Sequence, residues 1–303
     1  MSDLCLVADI GGTHARFALS DGALRAPMSL PSREFASLAD AAKTYLGRTG
    51  AKPSRAAFAV AGPVGRGRIV LTNLGWSFSA DELTAALGMP VTLVNDFEAI
   101  ALAVPQLAAC DLVTIGPDIE GEKGATVAVV GPGTGFGVAG WSHGRALVTE
   151  GGHADFAPAD DAEIEILKFL RGRFGHVSWE RVLSGPGLVN LYEAMSGRET
   201  LLPQQITARV GFDPLCTEVF ARFCAILGSA AGDIALTMGA RGGVLIAGGI
   251  LPAMREPFAT SGFRARFDAK GRFASYLKAI PTRLIVQEHA GLIGASAAAM
   301  QIR

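Results

Sequence analysis

Charge is scarce in this chain. Charged residues make up 18% of 303, against 50% hydrophobic, and the net charge is −1. So nearly neutral a chain has no general attraction for nucleic acid or an anionic membrane, and so much apolar material implies a sizeable core. Cysteine is scarcer still. Cys5, Cys110, Cys216 and Cys224 fall at spacings that suit neither a zinc site nor a thioredoxin-type pair. A chain of this length does not need a disulfide frame, so buried free thiols in a reducing, cytoplasmic setting are expected. No segment approaches the ~20 apolar residues of a membrane span. Asp3 and Asp9 bracket only five apolar residues, so no signal peptide is read there. A Gly-Lys pair is absent, which excludes a P-loop. The 38 glycines have no period, which excludes collagen-like and low-complexity chains.

Two glycine turns at the ends of apolar strands are what the chain has instead. The first lies in Leu4–Thr13 and runs on into Arg16–Leu19; the second lies in Thr126–Gly135 and runs on into Gly137–Trp141. Turns of Gly and Thr let backbone N–H groups approach an anion with no Cβ in the way. Two such turns suggest two clamps on one polyphosphate. The second does not meet the dinucleotide fingerprint, because Phe136 and Val138 stand where its third glycine would fall.

Strands alternating with helices predict an α/β fold in two related halves. In the first half, a helical pattern around Leu38–Leu46 stops at Gly47, and strands 56–61 and 67–71 flank Gly62-Pro63. A capping box, Ser79 with Glu82, opens a helix ending near Gly88, and strand Val91–Val94 leads into a helix from Asp96. In the second half, helical patterns lie near 161–173, 178–183, 185–196 and 214–238. Strands 243–247 and 282–286 precede a small-residue helix, Ala290–Met300.

Several residues carry candidate chemistry. Asp9 ends its strand beside Gly11, Gly12 and Thr13, and a carboxylate there can hold the hydration shell of Mg²⁺; an ordinary hairpin with an Asx turn would look the same. Asn95 and Asp96 emerge at the C-terminal end of a strand, where α/β proteins place their sites, although one of them could merely cap the helix. Glu150 and His153 surround two glycines in a loop able to wrap a polyol. Gly248 and Gly249 form either a flat slot for an adenine ring or a simple turn. Glu180 on its own reads as a surface or capping carboxylate. No protein-held metal is expected, since no Cys/His cluster has ligand spacing.

Taken in order, the motifs resemble the bacterial glucokinases of the hexokinase/actin-like ATPase superfamily. The likeness runs through Asp9–Arg16, 61–64, 72–76, Leu93–Phe97, Gly131–Gly135, Glu150–His153, Glu180–Gly187 and Gly248-Gly249. The chain departs from it at His14, where Asn is expected, and at Phe136, where Leu is common. The resemblance implies a two-domain actin-like ATPase (hexokinase) fold with a cleft between a small and a large domain. Residues 1–102, completed by the C-terminal helix 290–303, would form the small domain, and 103–289 the large one. It further implies ATP-dependent phosphorylation of the glucose 6-hydroxyl, with ATP and Mg²⁺ and with Asp96 as general base. Asn95, Asp96, Glu150, His153 and Glu180 would hold the sugar. Gly11, Gly12, Thr13, Gly133 and Thr134 would hold phosphates, Gly248 and Gly249 would border the adenosine, and Asp9 would meet Mg²⁺ through water. Glucose and ATP would be the partners, in a homodimer, with no nucleic acid and no membrane. A sugar-sensing repressor on this fold would need a DNA-reading helix-turn-helix, for which the strand starting at Leu4 leaves no room. An actin-like filament would have no use for the polyol set.

Overall fold

The computed structural model describes residues 4–62, 64–65, 67–71, 73–197 and 201–301. Asp3, Pro63, Thr72 and the last two residues of the expected segment 290–303 lie outside the described residues. The chain divides into two compact units, Met1–Ala108 with Gln287–Arg303, and Ala109–Val286.

Unit 1 contains strands β1 (Cys5–Ile10), β2 (His14–Ser20), β3 (Leu24–Pro31), β4 (Arg55–Val60), β5 (Ile69–Leu71), β6 (Trp76–Phe78) and β7 (Val91–Asn95). Five of them form a sheet ordered β3-β2-β1-β4-β7, and β5 pairs with β6 alone. β1 and β2 are antiparallel, with Asp9 opposite Arg16, while β1, β4 and β7 are parallel. Parallel strands covered on both faces become near-continuous apolar runs, and in β1 every residue except Asp9 is buried. Phe17 stacks on Tyr45 with ring centroids 5.5 Å apart and meets Phe58 edge-on.

Among the described residues of this unit, the α-helices before the chain leaves it are α1 (Leu38–Thr49), α2 (Ala80–Leu87) and α3 (Asp96–Ala103). α1 runs through Gly47, the expected stop, and ends at Gly50, whose φ of 64° supplies the left-handed C-cap. α2 carries the expected Ser79–Glu82 capping box. The C-terminal helix Ala290–Gln301 packs on α3, β1 and β4. It approaches α3 so closely that a Cβ on Gly294 would overlap the Ala99 carbonyl.

Unit 2 contains β8 (Leu112–Thr114), β9 (Val127–Pro132), β10 (Phe136–Ser142), β11 (Arg145–Val148), β12 (Gly243–Ile246) and β13 (Thr282–Ile285), ordered β11-β10-β9-β12-β13-β8. It repeats the plan of unit 1: an antiparallel meander, β9-β10-β11, then parallel strands added beside β9. Helices α4 (Asp161–Phe174) and α5 (Gly185–Ser196) match two expected helices, whereas the segment expected as a helix near 178–183 is a single 3-10 turn, Trp179–Arg181.

Two expectations are corrected here. The helix Pro214–Met238 has the length and the mean hydropathy, 1.6, of a membrane span, although none was expected. Its apolar surface is used internally: 72% of its most apolar 18 residues are buried, with Phe220 and Phe223 in the core. None of the four cysteines is in a disulfide, but only Cys5, Cys216 and Cys224 are buried, and Cys110 is exposed.

Candidate active site

In unit 1 the first glycine turn joins β1 to β2. Gly11 N–H closes it on the His14 carbonyl at 3.0 Å, and the Thr13 carbonyl accepts from Ser32 N–H at 2.9 Å. The Gly11 amide is therefore taken internally. Among the described residues, the N–H groups of Gly12 and Thr13 find no protein acceptor. Neither Gly11 nor Gly12 has a positive φ, and a Cβ on Gly12 would meet nothing closer than 3.8 Å. Internal geometry does not demand that glycine; an open backbone edge is what it provides.

Asp9 sits one residue before the end of β1, its side chain 23% exposed and 3.4 Å from the Arg16 guanidinium. Burial pushes its carboxyl above the usual range, and the charges of Arg16 and His289 oppose that shift. The C-terminal helix comes up against this carboxylate, because a Cβ on Gly291 would lie 2.8 Å from the Asp9 Cγ. His289, with its Nδ1 buried and lacking a hydrogen-bond partner, was not singled out by the sequence. It lies 280 positions from Asp9, and no local pattern links them. Asp9 is a hard oxygen donor beside two unpaired amides, which suits a hydrated Mg²⁺ that arrives with phosphates. Among the described residues no group of three or more His, Cys, Asp or Glu side chains could hold a metal.

Asn95 and Asp96 mark the passage from β7 to α3. Asn95 is the N-cap: its Oδ1 accepts from Phe97 N–H at 2.9 Å and Glu98 N–H at 3.2 Å, while Glu98 Oε2 accepts from Asn95 N–H. Its Nδ2 donates to the Gly62 carbonyl at 3.0 Å. The second capping box was readable in Asn95-Asp96-Phe97-Glu98 but was missed. Asp96 is the first residue of the helix, half-buried, with Oδ1 accepting from Phe97 N–H at 2.9 Å. The cap therefore does not depend on it.

Unit 2 holds the second turn. Gly133 N–H closes it on the Gly135 carbonyl at 2.8 Å, and the Gly133 carbonyl accepts from Gly185 N–H, the start of α5, also at 2.8 Å. The Gly133 amide, like that of Gly11, is taken; those of Thr134 and Gly135 have no protein acceptor among the described residues. Gly248, at φ 92°, presses on the end of β9, where a Cβ would overlap the Pro132 carbonyl. Gly249 lies beside it, exposed.

The same unit gathers Glu150, His153 and Glu180. Glu150 precedes a 3-10 turn that His153 ends, and Glu180 lies in another. A short antiparallel link ties the two segments: Trp179 N–H donates to Ala154 O, and Phe156 N–H to Val177 O, each at 2.9 Å. Trp179 is buried edge-on against Phe156, with centroids 5.5 Å apart. His153 Nε2 stands 3.9 Å from Glu150 Oε2, and its Nδ1 stands 4.0 Å from Glu180 Oε1. These gaps are too long for direct hydrogen bonds and wide enough for a hydroxyl oxygen about 2.8 Å from each side. Glu180 Oε2 accepts from Phe136 N–H at 3.0 Å, which brings the polyol cluster against the second glycine turn. Asn95, Asp96, Asp9 and the first turn belong to unit 1; Glu150, His153, Glu180, Gly133, Thr134, Gly248 and Gly249 belong to unit 2.

The Glucokinase family model matches residues 6–302. A glucokinase from Caulobacter sp. (strain K31) is 47% identical over 312 residues, covering 97% of this chain and 94% of the relative. A solved glucokinase from an Antarctic psychrotroph is 40% identical and superposes with a TM-score of 0.87 over 99% of this chain and 100% of its own. A ROK family glucokinase from Streptomyces griseus, solved with glucose and AMPPNP, has a TM-score of 0.68 over 98% and 99% of the two chains. At 19% identity it speaks to the fold alone. A match over nearly the whole length, with relatives close to half identical, establishes that the chain belongs to the glucokinase family.

Proposed function

We propose that this protein transfers the γ-phosphoryl group of ATP to the 6-hydroxyl of glucose, giving glucose 6-phosphate and ADP. The observation that carries the reading is the placement of Glu150, His153 and Glu180 against the second glycine turn within one unit. Groups that can hold hydroxyls thus adjoin backbone that can hold phosphate. The names of the relatives support the same reading.

Unit 1 would act as the small domain, expected at 1–102 with 290–303, and unit 2 as the large one. Asp96 takes the proton of the 6-hydroxyl as its oxygen bonds to the γ-phosphorus and the bond to the β–γ bridging oxygen breaks. General-base catalysis of this kind contributes about 10²–10⁴-fold. Asn95, Glu150, His153 and Glu180 orient the sugar, Asn95 through the amide hydrogen not given to the Gly62 carbonyl. The amides of Gly12, Thr13, Thr134 and Gly135 receive the phosphate oxygens, while Gly11 and Gly133 shape the turns rather than donate. Gly248 and Gly249 border the adenosine. Asp9 would hold the water shell of Mg²⁺ arriving with ATP, which supplies neutralisation of phosphate charge. Phosphoryl transfer asks for little beyond such positioning and charge neutralisation.

An ADP-release assay across a panel of hexoses tests the reading. Release stimulated most by glucose is expected; no stimulation by any hexose would overturn it.

A further inference from the structure

Glu180 uses its two carboxylate oxygens in two different places. Oε2 accepts from the N–H of Phe136, the residue that leaves the second glycine turn. Oε1 faces His153 across 4.0 Å, in the cluster assigned to the sugar. The turn accommodates this carboxylate by having no side chain at Gly135, since a Cβ there would collide with Glu180 Oε2. The sugar loop touches the backbone of the same residue on its other side, because a Cβ on Gly152 would overlap the Phe136 carbonyl. At its other end the turn is tied to α5 through Gly185 N–H and the Gly133 carbonyl, five residues beyond Glu180. The segment that holds sugar thus grips the phosphate turn at both ends.

We propose that Glu180 couples the two substrate sites: a sugar hydroxyl on Oε1 fixes the carboxylate, and the fixed carboxylate sets the Phe136 amide and with it the Thr134 and Gly135 N–H groups that meet phosphate. This rests on the kinase reading above and adds to it a route by which each substrate raises the other's affinity. A charge-assisted hydrogen bond from a backbone N–H to a carboxylate is directional, so reorienting one end moves the other. Coupling between two binding events is reciprocal, so glucose must tighten nucleotide by the same factor as nucleotide tightens glucose.

Gly135→Ala pushes the Glu180 carboxylate off the turn without deleting a side chain of either site. Its φ lies outside the left-handed region, so the backbone accepts an L side chain, and the added methyl meets only the end of the Glu180 side chain. The fold should therefore survive, which a thermal melt checks. Calorimetry gives the Kd of AMPPNP with Mg²⁺, without and with saturating glucose, and the Kd of glucose alone. In the unmutated protein, glucose should tighten AMPPNP by about 5-fold or more, the lower end of typical coupling. In Gly135→Ala that ratio should fall to near one. The Kd of glucose alone should also rise, although Gly135 belongs to the phosphate turn. Glu180→Gln keeps an oxygen for Phe136 N–H while removing the charge; it should weaken glucose and reduce the ratio, yet leave AMPPNP alone near its original Kd. A ratio near one in the unmutated protein, or an unchanged ratio in either variant, would overturn the coupling and leave the kinase reading standing. Failure of the unmutated protein to bind glucose would instead remove the kinase reading and the coupling together.

Discussion

Because Asn95 supplies the cap of α3 through bonds to Phe97 and Glu98, replacing its neighbour need not loosen the helix. Asp96→Asn is therefore expected to melt near the wild-type temperature and to bind glucose about as well, while kcat falls by roughly 10²–10⁴. Retention of more than about a tenth of kcat would remove Asp96 as the base. Asp9 behaves differently. Burial raises its carboxyl above the ordinary range despite Arg16 and His289, so the folded chain favours the neutral form. A raised carboxyl contributes stability below its unfolded value, and that contribution is lost as pH rises through the folded one. Asp9→Asn should accordingly melt above wild type at pH 8. The gap should close as pH falls below the usual carboxylate range, and MgATP binding should weaken. A melt at pH 8 no higher than wild type would show that the charge of Asp9 is not held at a cost. Asp9 and Asp96 were both readable as single residues, because each lies at or just beyond the C-terminal end of an apolar strand. The burial of Asp9 and the nearness of His289 and Gly291 were not, since a helix 280 positions later brings them there.

Among the elements, the glycines of helices divide by what surrounds them. Gly47 lies inside α1 with open space where a Cβ would go, whereas Gly294 lies in the C-terminal helix with the Ala99 carbonyl in that space. Gly47→Ala should stabilise unit 1 by about 0.5–1 kcal/mol, the helix-propensity gain. Gly294→Ala should destabilise it by about 1–3 kcal/mol through overpacking. Urea unfolding of the two variants should move the midpoint in opposite directions, and a common direction would contradict this account. The same contrast shows where the sequence could be read and where it could not. Apolar strands such as β1 and β9, and helices with strong start signals such as α2, stood out because their patterns are local. Gly47 was mistaken for the end of α1 because a glycine stops a helix only where the chain turns left-handed, as it does at Gly50. The turn Trp179–Arg181 is too short for any period to declare itself. Glu180 could be assigned only through family likeness, because its partners Phe136 and His153 lie 44 and 27 positions away, and spacing cannot announce a contact through space.

The molecule as a whole is assembled from one continuous unit and one split unit. Ala109–Val286 has its own sheet and its own buried cluster, whereas Met1–Ala108 depends on Gln287–Arg303 for the helix that lies on β1, β4 and α3. A fragment spanning 109–286 should therefore fold alone with a cooperative melt, and a fragment spanning 1–108 should not. Circular dichroism of the two purified fragments decides this, and a cooperative melt for 1–108 would count against it. The split also has a consequence during synthesis. The ribosome makes the sheet of unit 1 first and its covering helix last, with all of Ala109–Val286 in between. At the usual ~5–20 residues per second, that sheet waits roughly 10–40 s with its apolar surface uncovered. The unit second in order along the chain is then the first to finish folding, and the nascent sheet of the other unit is a natural client for a holding chaperone until residues 290–301 have been made.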